Sequence, residues 1–302
     1  MYGAETADPR SPILGWASLS DLKQEEQVIA DTFTSSRSLS WWRRLCLWRE
    51  GRQLRKLAIT PQQWQAALGD WPVYQRYSSE QQQRIQQLAL RLLLRKHLVA
   101  VKGAALDDRL RLRIAGMAVV PVLELGLDWY NRWQTLILYD GPFVAEHSWQ
   151  DEYGIVHQEI SERSGEAWER GPVVLSLEDV SKSGGGHGYN VVIHELAHTL
   201  DMRDASANGA PPLHEGMDAA AWQRDMQAAW DDLARRAEQG KPLPVDDYAL
   251  EDPAEFFAVL SETFFEQPEK LRAAWPEVYQ HLVQFYRQDL LIVKARSQIN
   301  QK

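Results

Sequence analysis

The sequence lacks the features of a disulfide-stabilised or membrane-spanning protein. One of its 302 residues is a cysteine, Cys46, which excludes an intramolecular disulfide and a metal site built from several thiolates. The longest apolar run, residues 114–127, is interrupted by Pro121 and Glu124 and is shorter than the roughly 20 residues that cross a bilayer. No basic segment followed by an apolar run opens the chain. We therefore predict a cytoplasmic protein without a transmembrane segment.

Positive charge is also scarce, because the formal net charge is -9. Phosphate backbones bind to positive surfaces, so direct binding of nucleic acid is not expected. Residues 37–56 are the exception, with seven basic residues, one acidic residue and interleaved tryptophans. This basic Trp-rich segment suits a membrane surface or a partner, or else a surface helix that packs its tryptophans on the core. We expect residues 1–60 to be a poorly ordered N-terminus plus this segment, and residues 61–302 to form the folded domain.

Local patterns predict both helices and strands. A long helix is expected from residue 79, with Ser79 and Gln82 at capping-box spacing. Two runs rich in β-branched residues, 135–139 and 173–180, are predicted to be strands of one sheet. Helical patterns then follow one another to about residue 293. The chain is therefore expected to have largely helical N- and C-terminal parts around a small sheet, a mixed α+β fold.

The stretch VVIHELAHTLD, residues 191–201, carries a candidate metal site. Residues four apart lie on one face of a helix, so His194 and His198 can both reach one cation. Glu195 is rotated by about 100° from His194 and can stand beside the metal. This H-E-x-x-H pattern is typical of zinc peptidases in which the glutamate is the general base. The alternative is a helix with two unrelated histidines, but the apolar residues around the three polar ones favour a buried metal helix.

A third protein ligand is needed, since catalytic zinc sites have three protein ligands and one open position. Chemistry alone allows Asp204, His187 or His214. A second helix, in YALEDPAEFFAVLSETFF at residues 248–265, offers Glu255 and Glu262 on one face, seven residues apart. Its start is predicted at Asp252 and Pro253. Spacing alone leaves the choice between the two glutamates open.

The chain resembles the Mlc titration factor A family of bacterial zinc peptidases, whose metal region is similar to that of anthrax lethal factor. HELAHTLD, the later YALEDPAEFFAVLSETFF, PVLELGLDWY and GPVVLSLEDV carry the resemblance, which extends over roughly residues 60 to 293. It implies a zincin-like fold and a gluzincin site with one Zn²⁺ per chain. The implied roles are metal ligands for His194, His198 and Glu255, general base for Glu195, and transition-state donor for Tyr248.

The resemblance also implies two activities. One is aminopeptidase-type hydrolysis of short peptides. The other is binding and sequestering the Mlc repressor, which controls genes of the glucose phosphotransferase system. An alternative is a non-catalytic, repressor-titrating protein with a vestigial metal site.

Further residues are expected around the cleft. Asp201 lies on the helix face of His198, where it would accept a hydrogen bond from a ligand imidazole or close the helix end. Glu262, if it is not the ligand, would be a neighbour of the site. The strand with Val174 and Ser176 is predicted to be an edge to which an extended peptide adds. The glycine-rich loop 184–188 is hypothesised to gate access to the zinc.

Overall fold

The computed structural model describes residues 54, 59–101, 103–141, 143–150, 156–163, 165–167, 171–204 and 207–292, with backbone alone for residues 143–167. The chain divides into two compact units, residues 1–63 and 64–302. Nearly all of the first unit lies outside the described residues. The predictions for the N-terminus and for the basic Trp-rich segment fall there. The predicted boundary at residue 60 stays a prediction.

Three helices open the described chain: α1 Pro61–Leu68, α2 Pro72–Arg76 and α3 Ser79–Arg95. Helix α3 begins at Ser79, the residue from which it was predicted, but its capping box lies one residue earlier than predicted. Its capping box is formed by Ser78 and Gln81, not by Ser79 and Gln82. The Ser78 hydroxyl accepts from the Gln81 N–H (3.3 Å), and the Gln81 side chain accepts from the Ser78 N–H (3.1 Å). The doublets Ser-Ser and Gln-Gln offer the same spacing twice, and the earlier serine is the one with extended backbone.

A four-stranded sheet forms the β part of the domain. Strands β1 His97–Ala100, β2 Thr135–Tyr139 and β6 Val173–Ser176 are parallel, and β5 Gly165–Ala167 runs antiparallel to β6. The strand order is β1-β2-β6-β5, and helix α4, Asp108–Val119, lies between β1 and β2 in the chain. Strands β3 Phe143–Gln150 and β4 Val156–Arg163 form a separate antiparallel pair.

The strand predicted as a peptide-binding edge is internal. Strand β6 pairs with β2 on one side and with β5 on the other, and its residues, including Val174 and Ser176, are buried. An extended substrate cannot add to it, because both sets of backbone hydrogen-bonding groups are already paired. The strand also ends at Ser176 rather than at residue 180. The Ser176 hydroxyl accepts from the Asp179 N–H and begins helix α5, Leu177–Lys182.

The C-terminal half is helical, as predicted. It contains α6 Val191–Asp201, α7 Ala219–Glu238, α8 Pro253–Glu266, α9 Pro268–Ala274 and α10 Pro276–Tyr286. Short 3₁₀ turns occur at Leu127–Tyr130, Met202–Asp204 and Asp247–Leu250. Every residue of α6 is buried, and this helix packs against α8 and the sheet. The predicted class, a mixed α+β zincin-like domain with a small sheet, is confirmed.

In the part of the chain that the structure describes, no helix is both long enough and apolar enough to span a bilayer.

Candidate metal centre

The first half of the site is built on α6. Asn190 begins the helix as predicted: its side chain accepts from the Ile193 N–H at 3.2 Å. The apolar side chains of the helix are fully buried, Val192, Ile193, Leu196, Ala197 and Leu200. They fix the rotation of α6 about its axis. The polar trio His194, Glu195 and His198 is thereby held in the interior, each residue less than a tenth exposed.

The second half is built on α8. Its start is as predicted, with Pro253 as the first helical residue and Asp252 as the N-cap. The Asp252 carboxylate accepts from the N–H groups of Ala254 (2.7 Å) and Glu255 (3.0 Å). The apolar face packs into the core through Phe256, Phe257, Leu260 and Phe264. Glu255 therefore lies in a first turn whose backbone is fixed by both the cap and the core.

Three side-chain atoms from the two helices converge. His194 Nε2 lies 3.2 Å from His198 Nε2 and 2.9 Å from Glu255 Oε2, and His198 Nε2 lies 3.5 Å from the same oxygen. Within the described ranges, these residues form the group of histidine and carboxylate side chains that could hold a common metal ion. Residues 57 or more positions apart in the chain are thus brought to one point.

The charges of the site favour a bound cation. Burial lowers the pKa of His194, but hydrogen bonds to Glu255 and Glu262 outweigh this effect and place the pKa well above its ordinary value of 6.5. Burial alone would raise the pKa of Glu255, yet its hydrogen bonds with His194 and His198 hold the pKa well below the ordinary range. The pocket between these groups therefore attracts positive charge, whether a proton or a metal ion.

Glu195 stands beside this cluster. Its side chain is buried, and its Oε2 has no hydrogen-bond partner among the described residues. Burial raises the pKa of Glu195 to about 7, against the opposing influence of His194 and His198. A carboxylate of this kind can accept a proton near neutral pH.

The geometry distinguishes the two glutamates between which sequence spacing could not choose a metal ligand. Glu255 reaches the point between the imidazoles, whereas Glu262 Oε1 lies 2.8 Å from His194 Nδ1, on the far side of the ring. Glu262 Oε2 accepts a short hydrogen bond from the Asn190 N–H. Since a carboxylate is an acceptor, Nδ1 of His194 carries the proton and Nε2 is directed at the cluster.

The other candidate ligands lie outside the cluster or make other interactions. His214 donates from Nε2 to the Phe285 carbonyl (2.8 Å) and stacks on the Phe285 ring. Asp204 belongs to a 3₁₀ turn after α6 and is absent from the cluster. His187 is on the wall of the cleft that leads to the site.

Of the two roles predicted for Asp201, the structure agrees with the one at the helix end and not with the hydrogen bond to an imidazole. Its Oδ2 accepts from the N–H groups of Asn208 (2.9 Å) and Gly209 (2.7 Å), and no imidazole is among its partners in the described chain. The aspartate holds the loop after α6. Burial raises its pKa to about 6, while the two N–H groups lower it. Glu262 occupies the position next to a ligand imidazole that was predicted for Asp201.

An open cleft of about 550 Å³ leads to the cluster and is lined by His194, Glu195 and Tyr248 among others. Tyr248 lies in the 3₁₀ turn Asp247–Leu250, and its ring centre is 6.0 Å from that of His194. The ring is 39% exposed, so the tyrosine can meet a ligand in the cleft. The structure therefore places His194, Glu195 and Tyr248 on the cleft wall, with His198 and Glu255 in contact with His194.

One buried carboxylate near the site was not predicted. Glu266 is fully buried and accepts from Trp71 Nε1 (2.9 Å), Asn190 Nδ2 (2.8 Å) and the Gly186 N–H (3.1 Å). A signal for it was present, since positions 255, 262 and 266 of α8 lie within about 40° of one another around the helix axis. The face of α8 toward α6 thus carries a row of three carboxylates.

The chain was compared with known families and proteins. A family model described as glucose-regulated metallo-peptidase M90 matches residues 45–287. Similar proteins bear the name Mlc titration factor A. The protein of Serratia proteamaculans is 42% identical over 244 residues, covering 80% of this chain and 92% of that protein. That of Yersinia enterocolitica is 41% identical over 232 residues, covering 76% and 86%.

A third relative, from Cronobacter sakazakii, is 38% identical over 237 residues, covering 78% of this chain and 89% of that protein. The matched region contains the whole His194, His198 and Glu255 cluster together with Glu195 and Tyr248. The predicted resemblance is thus confirmed, and the chain belongs to the glucose-regulated metallopeptidase family M90.

Proposed function

We propose that this protein is a zinc-dependent peptidase, of aminopeptidase type on short peptides, with one Zn²⁺ held by His194, His198 and Glu255. The convergence of the three donor atoms carries the proposal. With zinc to ligand distances of about 2.0–2.1 Å and tetrahedral angles, two ligand atoms are about 3.3 Å apart. The observed separations are 3.2, 2.9 and 3.5 Å.

The donor set also fits zinc chemically. Two imidazoles and one carboxylate are the ligands of many catalytic zinc sites, which leave a fourth position open. Glu255 Oε2 is buried and faces the Nε2 atoms of His194 and His198, which suits an atom meant for a metal. Glu262 supports the assignment, because its hydrogen bond to Nδ1 leaves the Nε2 lone pair of His194 for the ion.

A zinc ion bound there would lower the pKa of a water molecule and polarise the carbonyl of a peptide. The remaining chemistry belongs to the protein. Glu195 takes the proton of the attacking water and delivers it to the leaving amine, for which a pKa near neutrality is well suited. Tyr248, at the cleft wall, donates its phenol O–H to the carbonyl oxygen as negative charge develops.

Metal analysis combined with peptide hydrolysis tests this function. Wild-type protein should contain about one zinc per chain and release the N-terminal residue of short peptides. His194→Ala and Glu255→Ala should lose both properties, whereas Glu195→Gln should keep the zinc and lose at least about 100-fold in kcat. Wild-type protein that takes up no zinc when supplied would overturn the peptidase assignment and favour a non-catalytic binding protein. Cleavage inside long peptides with blocked N-termini would refute the aminopeptidase type alone.

We also propose that the protein binds and sequesters an Mlc-type repressor in the cytoplasm and so regulates the glucose phosphotransferase system. The name shared by the relatives, Mlc titration factor A, supports this second role. Titration needs a surface rather than hydrolysis, so Glu195→Gln should bind the purified repressor as wild-type protein does. Loss of that binding in a folded, zinc-loaded variant would contradict independent roles.

A further inference from the structure

The cleft beside the metal centre is lined by both polar and apolar residues. Besides the metal-site residues, its lining includes Pro244, Val245 and Val259. Among the described residues, four large hydrophobic side chains are substantially exposed, and two of these, Tyr189 and Tyr248, line this cleft. Exposed aromatic surface concentrated beside a catalytic site is typical of a surface that binds a ligand.

Tyr189 is not used by the chemistry described above. It is 38% exposed and directly precedes Asn190, the N-cap of the metal helix α6. Its carbonyl accepts from the Gly184 N–H at 3.2 Å, which closes the segment 184–189 into a compact loop. The position of the tyrosine relative to His194 is therefore set by a short, closed piece of backbone.

The centre of this loop is hydrogen-bonded to residues at the C-terminal end of α8. The Gly186 N–H donates to Glu266 Oε2 (3.1 Å), and the Gly186 carbonyl accepts from Gln267 Nε2 (2.9 Å). Gly186 has φ +74° and Gly184 has φ +79°, a region that favours glycine. A Cβ on Gly184 would also lie 2.5 Å from Met117 Cε. These contacts hold the loop at the end of α8, and they favour a wall of the cleft over the hypothesised gate.

Glu266 connects this wall to the metal helix. While its Oε2 binds Gly186, its Oε1 accepts from Asn190 Nδ2 and from Trp71 Nε1. One fully buried carboxylate thus ties the loop, the start of α6 and the N-terminal helical part together. Any ligand in the cleft meets a loop whose position is set by the same group that supports the ligand helix.

We propose that Tyr189 is a specificity-determining residue that receives an apolar side chain of the peptide, and that Glu266 and Gln267 are positioning residues for it. The inference rests on the proposed peptidase function and adds the substrate class, peptides with a large apolar residue. The exposed tyrosine ring, on the same cleft wall as other apolar residues, removes part of that side chain from water. The polar groups of the metal centre act on the backbone of the same peptide.

The test is a set of short peptides in which each position in turn is Gly, Ala, Leu or Phe. At one position, wild-type protein should prefer Leu or Phe to Ala in kcat/KM. Tyr189→Ala should reduce this preference roughly 10-fold, and Tyr189→Phe should keep it within about 2-fold, because the ring and not the hydroxyl makes the contact. Equal preference in wild-type protein and Tyr189→Ala would overturn the proposal.

Glu266→Gln tests the positioning role. Its amide oxygen can still accept from Trp71 and Asn190, but its NH₂ group would face the Gly186 N–H, so the loop alone is released. KM for the preferred peptide should rise several-fold with kcat and zinc content little changed, and amide exchange should increase in residues 184–189. The matched control is Glu277→Gln, an exposed glutamate of α10. A uniform fall in kcat on all peptides would indicate a merely structural role and contradict the positioning claim.

A binding measurement separates this inference from the proposed function. Zinc-loaded Glu195→Gln protein, with and without Tyr189→Ala, is titrated with the same peptides without turnover. Suppose that wild-type protein hydrolyses no peptide, but that selective peptide binding is observed and is lost in Tyr189→Ala. This result would support the proposed subsite and overturn the peptidase function. Hydrolysis with the same selectivity in wild-type protein and Tyr189→Ala would support the peptidase function and overturn the proposed subsite.

Discussion

At the residue scale, Glu262 is the hydrogen-bond partner that orients the His194 ring. Its carboxylate fixes the ring by the 2.8 Å contact with Nδ1, and it holds the Asn190 N–H at the start of the same helix. Glu262→Ala should weaken zinc binding roughly 10–100-fold, because the imidazole loses its orientation and its preferred tautomer. Competition of metal-free protein with a chelating fluorophore measures the change.

Glu262→Gln is the matched control for this prediction. Its amide oxygen can still accept from Nδ1 of His194, so its zinc affinity should lie between those of wild-type protein and Glu262→Ala. Zinc affinity equal to wild type in a folded Glu262→Ala protein would refute the orienting role.

The sequence alone identified both glutamates but could not assign them. Positions 255 and 262 share a face of α8 because of helical periodicity, which depends only on the local sequence. Which carboxylate meets Nε2 of His194 and which meets Nδ1 depends on the distance and crossing of α6 and α8. Those quantities follow from packing across the core, so the resemblance, not the spacing, pointed to Glu255.

At the scale of the element, the start of α8 controls both stability and the site. Asp252 caps the N–H of Glu255 itself. Asp252→Ala should lower the free energy of unfolding by about 1 kcal/mol, because two N–H groups of the first turn lose their acceptor. Urea denaturation of metal-free protein measures this loss. Zinc affinity should fall as well, since Glu255 sits in the loosened turn.

Asp252→Asn provides the comparison, because an asparagine caps nearly as well as an aspartate. Its stability and zinc affinity should stay close to those of wild-type protein. If Asp252→Asn were as destabilised as Asp252→Ala, the negative charge rather than the cap would be responsible.

The starts of α6 and α8 could be predicted from the sequence, but the pairing partners of strand β6 could not. Asn190 and Asp252 cap through groups two or three residues away, so the sequence around them contains the whole interaction. The pairing of β6 with the three-residue strand β5 depends on how the chain returns after the β3 and β4 pair. The run at 173–180 contains no information about that return, and the predicted edge was wrong for this reason.

At the scale of the whole molecule, the metal site joins parts of the fold that are far apart in sequence. Helices α6 and α8 supply the candidate ligands. Helix α2, in the N-terminal helical part, contacts the C-terminal end of α8. Arg76 donates to the carbonyls of Phe265 (2.7 Å) and Glu266 (2.8 Å) there. A ligand that binds the folded cluster and not the unfolded chain therefore stabilises this whole assembly.

Zinc should accordingly raise the free energy of unfolding, by about 2.7 kcal/mol when free zinc is 100 times its Kd. At a fixed zinc concentration the gain should shrink as pH falls toward 6.5, because the pKa of His194 in the metal-free protein lies well above 6.5 and protons then compete for Nε2. Denaturant unfolding with and without zinc as a function of pH measures both effects. His198→Ala should show neither gain nor pH dependence of that gain, and a stabilisation equal to wild type in this variant would place the zinc somewhere other than between α6 and α8.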